Sequence, residues 1–221
     1  MAKKELTALT IDNIKRVHKE RRAEIKARLA EFAEIGRVGS DEDLFAEMVF
    51  CFFTGGCSAR MGINSLAAVR DMMMTADREA LTQALLGSHR YPNARSRYIV
   101  HSRDFLQNEH GMRLREKLVS YTDNDERRDW LVREKGIKGL GYKEASHYLR
   151  NIGYKGYAIL DKHVLNCLAE LKIIDEPKPP NTRSRYLSVE GKLRQFAMDI
   201  KIDLDEIDLV LWSMKTGHIL K

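Results

Sequence analysis

Cysteine is scarce in this chain of 221 residues, with three at positions 51, 57 and 167 and no C-x-x-C pair among them. An odd number of scattered thiols cannot close a disulfide framework, and it fits reduced thiols in a cytoplasmic protein. The seven histidines are equally dispersed, without an H-x-x-x-H or Cys/His grouping, so no transition-metal site is legible. Long apolar runs are missing too. The longest, Met48 to Phe53, falls far short of the roughly 20 residues that span a bilayer. Met1-Ala2-Lys3-Lys4-Glu5 lacks the apolar core of a signal peptide. These absences together describe a soluble, intracellular protein with no membrane attachment. Proline is rare as well, and three of the four, Pro177, Pro179 and Pro180, share one short stretch, leaving most of the chain free of helix breakers.

What is present is helical patterning. Hydrophobic residues make up 43% of the chain, enough for a substantial core in one domain or two small, closely joined ones. The 38 Lys+Arg exceed the 32 Asp+Glu, and a formal charge of +6 favours polyanionic partners. Ile14, Val17, Ile25, Leu29 and Phe32 recur at helix spacing, while Lys15, Arg16, Lys19, Arg21, Arg22, Lys26 and Arg28 fill the remaining faces, as solvated charges or as phosphate contacts. Ser40 and Asp43 have the spacing of a capping box ahead of Leu44, Phe45, Met48 and Val49. Asp77, Pro92 and Asp123 open further helices, and Gly87 closes one. Arg90, Arg95 and Arg97 flank the start of the Pro92 helix, as DNA contacts or plain surface charges. Glu176 to Tyr186 reads as a loop, with Ser188 and Asp205 opening the last two helices. No segment alternates as a strand does, and no internal repeat appears.

The most informative stretch is Ile137-Lys138-Gly139-Leu140-Gly141-Tyr142-Lys143-Glu144-Ala145, followed eighteen residues after Lys143 by Asp161. Two glycines one residue apart between helical segments fit a tight hairpin whose backbone amides face outward as a new helix begins. Such amides suit phosphate. Asp161 precedes the apolar positions Val164, Leu165 and Leu168 and has the place of a helix N-cap.

Helix, Gly139-Leu140-Gly141, helix, then a lysine two residues on and a distal aspartate, resembles the helix-hairpin-helix Gly/Pro-Asp signature of base-excision DNA glycosylases. More narrowly, the string from Gly139 through Asn151, with Ile159-Leu160-Asp161-Lys162-His163, is similar to the archaeal-type 8-oxoguanine DNA glycosylase/AP lyases. The chain length and the terminal Lys221 fit the same family. Outside that string the resemblance is looser. Thr54-Gly55-Gly56-Cys57-Ser58-Ala59 takes the place of a pocket-side turn where a bulkier pair than Gly55-Gly56 is expected, so no strand-separating residue is assigned.

The resemblance implies a fold and a chemistry. The fold is all-α, with two helical lobes and the active site in the cleft between them: residues 1–40 with 152–221, and residues 41–151 ending in the hairpin. Lys143 is the implied nucleophile, attacking C1′ of the damaged nucleotide to give a Schiff base that permits β-elimination. It sits in a first helical turn, where the positive end of the helix dipole works against an ammonium. Asp161 is implied to stabilise cationic character on the sugar and to help deprotonate the lysine. Trp212 and Lys221 match base-pocket positions, with Asp208 as a further polar contact, and Lys138, Gly139 and Gly141 are the implied backbone grip. Ordinary alternatives exist for each: a helix cap for Asp161, a core tryptophan, a frayed terminus. No cofactor is implied, and three scattered cysteines exclude the superfamily's iron–sulfur variant. The implied partner is double-stranded DNA containing 8-oxoguanine, engaged by a monomer. Two other readings stay open, namely a same-superfamily glycosylase for another damaged base and a non-enzymatic helix-hairpin-helix DNA-binding module.

Overall fold

The computed structural model describes residues 9–220, and among them it contains eleven α-helices and no strand. They are α1 (Ile11–Val38), α2 (Asp41–Thr54), α3 (Ala59–Val69), α4 (Arg78–Leu85), α5 (Pro92–His110), α6 (Leu114–Val119), α7 (Asn124–Arg133), α8 (Tyr142–Asn151), α9 (Lys162–Glu170), α10 (Arg183–Ile200) and α11 (Leu204–Thr216). No described helix is long and apolar enough to cross a membrane.

Local capping chemistry sets most of the helix starts. Ser40 and Asp43 form a reciprocal capping box, Asp43 N donating to Ser40 Oγ at 3.1 Å and Ser40 N to Asp43 Oδ2 at 2.8 Å. Asp77 and Asp123 each accept the amide three residues on, at 2.8 and 2.9 Å. Pro92 occupies the first turn of α5, where a missing amide costs nothing. Two starts differ from the sequence reading. Helix α10 begins at Arg183 under a Thr182 cap rather than at Ser188, because nothing after Pro180 prevents helix. Asp203, not Asp205, caps α11, accepting the Asp205 amide at 2.8 Å.

The chain divides into two compact units, Met1–Glu31 with Lys155–Lys221, and Phe32–Tyr154. The first junction falls inside α1 rather than at 40/41, since no breaker interrupts Ile11–Val38. The second follows Tyr154 rather than Asn151, because residues 152–154 stay with the end of α1. A Cβ on Gly36 would lie 2.0 Å from the Ile152 carbonyl oxygen, and one on Gly153 2.9 Å from Ala33 Cα. Only hydrogen at both positions allows this approach.

In the Phe32–Tyr154 unit the central element is α2, buried from Leu44 through Thr54, with α3, α5, α6 and α8 packed around it. Arg128 of α7 is 1% exposed, with Nη2 on Asp125 Oδ1 at 2.6 Å and Nη1 on Ser146 Oγ at 3.1 Å. His89 is buried against the end of α2. Its Nε2 lies 3.1 Å from the Phe53 carbonyl oxygen, and its Nδ1 accepts the Tyr91 amide at 2.9 Å, an arrangement suited to the neutral ring. Burial pushes the imidazole below its ordinary value, the Phe53 bond opposing and the Arg95 cation adding to the push. A depressed value means the unfolded chain takes up the proton first. The His89 contribution is therefore full above about pH 6.5 and is lost as pH falls through the lower folded value. Urea midpoints between pH 7.5 and 5 should decline in the native chain and decline less in His89→Gln.

The other unit contains a strap at residues 156–160, buried from Tyr157 to Leu160, that is neither helix nor strand. Its backbone is satisfied by side chains from α10 and α11. Gly156 N donates to Asp205 Oδ1 at 2.8 Å, Ala158 N to Glu190 Oε1 at 2.9 Å, and the Tyr186 hydroxyl to the Ala158 carbonyl at 2.7 Å. Glu190 is 3% exposed. Glu190→Ala strands the Ala158 amide in the interior and should cost about 1–3 kcal/mol in a denaturation experiment.

Candidate functional site

The hairpin between α7 and α8 shows why its two glycines are not equivalent. Gly139 has φ +83°, and a Cβ there would fall 2.5 Å from Tyr98 Cδ2. Both the backbone conformation and the Tyr98 ring require glycine. Gly141 is extended, φ −89° and ψ −176°, a conformation open to any residue, and it is the N-cap of α8 without a capping side chain. The first helical bond runs from Ala145 N to Gly141 O at 2.9 Å, so the opening amides of α8 have no partner within the helix. Lys138 is different again, its amide donating to Ser102 Oγ of α5 at 3.0 Å. That amide is already used, which leaves Lys138 its side chain for any outside contact.

Helix α8 is anchored along its inner side. The Tyr142 hydroxyl donates to Asp129 Oδ1 of α7 at 2.9 Å, and Asn151 Nδ2 donates to the buried Glu47 of α2 at 3.1 Å. His147 stands edge-on to Phe50, with centroids 5.5 Å apart. These contacts fix the start of the helix, where Lys143 occupies the second turn-one position with 24% of its side chain exposed. Its Nζ pairs with Glu144 Oε1 at 2.9 Å. Arg95, which the sequence left between a DNA contact and a surface charge, is neither an exposed nor a free group. It is 9% exposed, lies near the Tyr91 and Tyr98 rings, and donates to the Gly55 carbonyl at 2.5 Å.

In the other unit, the strap ends at Asp161, the N-cap of α9. Both capping bonds, from His163 N at 2.9 Å and Val164 N at 2.8 Å, fall on Oδ1. The His163 ring meets Trp212 of α11 edge-on at 6.4 Å, so Asp161 and Trp212 flank one histidine. Trp212 is partly exposed while its neighbours Leu211 and Ser213 are buried, and Asp208, one turn earlier, is 3% exposed. Cys167 faces α11, donating to the Leu211 carbonyl at 3.9 Å, and burial pushes its thiol up to about 11. Lys221 lies outside the described residues. Lys138, Gly139, Gly141 and Lys143 thus gather on one unit, and Asp161, Asp208 and Trp212 on the other. Sequence reasoning gave no role to Glu144, His163, Ser102 or Glu190, and took Asp205 for a helix start rather than a support of the strap. Of these only Glu144, at the N3 position behind a glycine N-cap, carried a local signal.

A family model described as 8-oxoguanine DNA glycosylase matches residues 25–202. The chain belongs to the 8-oxoguanine DNA glycosylase family. A relative from Korarchaeum cryptofilum, named 8-oxoguanine DNA glycosylase/AP lyase, is 42% identical over 89% of this chain and 90% of its own length. One of the same name from Methanocaldococcus jannaschii is 36% identical over 94% of this chain and 99% of its own. The crystal structure of the M. jannaschii 8-oxoguanine glycosylase/lyase in complex with 15mer DNA containing 8-oxoguanine matches with a TM-score of 0.87 at 35% identity, covering 96% of this chain and 99% of that one. The Thermotoga maritima 8-oxoguanine DNA glycosylase matches with a TM-score of 0.86 at 35% identity, over 96% of this chain and 98% of that one. The matched 8-oxoguanine DNA glycosylase span takes in the hairpin, Lys143 and Asp161 and stops short of Asp208, Trp212 and Lys221.

Proposed function

We propose that this chain excises 8-oxoguanine from double-stranded DNA and then cleaves the strand at the abasic site, acting as a monomer in the cytoplasm. The observation that carries the reading is end-to-end similarity to relatives named for both activities, one of them crystallised on DNA containing 8-oxoguanine. In the proposed chemistry the neutral Lys143 amine bonds C1′ as the C1′–N9 bond breaks. The sugar ring opens to a protonated imine, and loss of a C2′ proton expels the 3′ phosphate by β-elimination. Asp161 offers a carboxylate to the positive charge that develops on the sugar. Its support is the spare oxygen, since Oδ2 has no hydrogen bond to a described residue while Oδ1 carries the cap.

For the base, Trp212 supplies a partly exposed ring for stacking against an extruded purine, with Asp208 and Lys221 as polar contacts. For the backbone, the amides around Gly139 and Gly141 and the Lys138 side chain hold phosphate without reading sequence. The test is a duplex carrying one 8-oxoguanine, assayed for free base and for the β-elimination product. Both should appear without added cofactor. A panel of alkylated and deaminated bases processed in preference to 8-oxoguanine would overturn the substrate assignment, and no product on any lesion would overturn the enzymatic reading.

A further inference from the structure

Residues adjacent on a helix do not ordinarily face each other. The Lys143–Glu144 pair is therefore not a routine surface pair, and its surroundings explain it. Both side chains are largely withdrawn from solvent, at 24% and 16% exposure. Glu144 leans back over the helix start, where a Cβ on Gly141 would come 3.1 Å from its Oε2. A Cβ on Gly55 would come 3.6 Å from its Oε1 and 3.3 Å from Arg95 Nη2. Two glycines thus open the space that the carboxylate fills, and the Arg95 guanidinium, also close to Gly55, is held by the Gly55 carbonyl. Arg95 Nε, buried, has no hydrogen-bond partner among the described residues. Other charges near α8 are engaged elsewhere: Arg128 with Asp125 and Ser146, Asp129 with Tyr142 and Arg133, Glu47 with Asn151.

An ammonium has no lone pair, so Lys143 must lose a proton before its nitrogen can bond carbon. We propose that Glu144 is the catalytic base that takes this proton. The proposal rests on the reading of Lys143 as nucleophile. The proton passes from Nζ to Oε1, turning the ion pair into a neutral amine beside a neutral acid. The freed lone pair forms the N–C1′ bond, and the C1′–N9 electron pair leaves with the purine, which takes a proton from solvent. The bonded nitrogen passes a further proton to O4′ as the ring opens to the imine, and Glu144 returns its own proton to solvent. Asp161 then keeps the single task of facing the sugar cation.

The experiment uses the full chain with E144Q and E144D, on an 8-oxoguanine duplex at saturating enzyme and on a duplex with a preformed abasic site trapped by borohydride. Gln keeps the size of Glu and can still accept a hydrogen bond from Nζ, so a purely spatial role survives E144Q. Loss of a general base lowers the single-turnover rate and the trapping rate by roughly 100-fold or more, while duplex affinity and the thermal midpoint hold. E144D, which keeps the charge, recovers at least about a tenth of the native rate on this reading. An E144Q rate within about threefold of native, or an E144D rate no better than E144Q, overturns it. Native protein that forms no adduct would instead defeat the nucleophile reading, so the two failures are distinct.

A second inference has an independent basis on α1. Lys15, Lys19, Arg22 and Lys26 are all exposed. Their spacing places them within about 60° of each other around the helix and along about 17 Å of its length. None has an ion pair or hydrogen bond with a described residue. Asp12 adjoins the stripe at the helix start, while Glu20, Glu24 and Glu31 lie on another edge, where they pair with Arg16, Arg21 and Arg28. The geometry points to a phosphate-binding stripe that grips duplex DNA. Each phosphate contact steepens the fall of log affinity with log salt by about 0.9. Replacing all four with Gln flattens that slope on lesion-free duplex by about 3 to 4, while K178Q with K192Q, at two other exposed lysines, leaves it in place. An unchanged slope, or an equal effect per charge in the second pair, overturns the assignment.

Discussion

Lys143→Gln should end covalent capture of the chain by borohydride on a duplex with one 8-oxoguanine and lower single-turnover excision by at least about 10³-fold. The chain has 38 Lys+Arg, and any lysine with a neutral fraction can form some imine with an abasic aldehyde. What distinguishes Lys143 is its setting. Tyr142 and Asn151 tie its helix at both ends, Gly139 sets the turn ahead of it, and Glu144 holds its amine at 2.9 Å. The substitution should be silent in folding, because Gln is nearly as good a helix former as Lys and the side chain is outside the core. A native-like thermal midpoint with the adduct gone is the expected pair of results. An adduct that persists at native yield would mean that another amine carries the reaction.

Gly139→Ala should give the largest loss of stability among substitutions in the hairpin, about 2–5 kcal/mol. It combines about 1–2 kcal/mol for a left-handed residue with a side chain and about 1–3 kcal/mol for overpacking. The Cβ at 2.5 Å from Tyr98 Cδ2 cannot be accommodated unless that ring moves. Tyr98 is edge-on to Phe52 in the core and lies 5.3 Å from the Arg95 guanidinium, so the displacement spreads. Gly141→Ala provides the contrast. Its backbone is extended, and the nearest obstacle is the Glu144 carboxylate, the mobile end of a side chain. Urea midpoints of the two variants should separate clearly, with Gly141→Ala near native. Equal losses would show that the hairpin, not Tyr98, sets the cost.

Much of the helical order was legible because caps are local. Ser40 with Asp43, Asp77, Asp123 and Asp161 each meet an amide two or three residues away, and such spacing is visible in a string of letters. The strap at residues 156–160 was not, because its partners Glu190 and Asp205 lie 32 and 49 residues further on. Buried charges were equally hidden. Arg95, Arg128 and Glu190 look like surface residues by composition, and only tertiary partners explain their burial. Around Lys143 and Asp161 the hairpin glycines and the helix-cap position were legible, but the pairing with Glu144 could not be read. Neighbours in sequence normally diverge on a helix, and what turns these two together is the empty space at Gly55, from a distant part of the chain.

The cap at Asp161 has one more implication. Both of its helix bonds fall on a single oxygen, and a neutral Asn, Ser or Thr at that position would serve the start of α9 nearly as well. Architecture alone therefore needs a cap there and favours its negative charge only modestly, by about 0.3–1 kcal/mol through the helix dipole. Asp161→Asn should thus leave the thermal midpoint close to native, so that a loss of excision in that variant reads the carboxylate and not the helix.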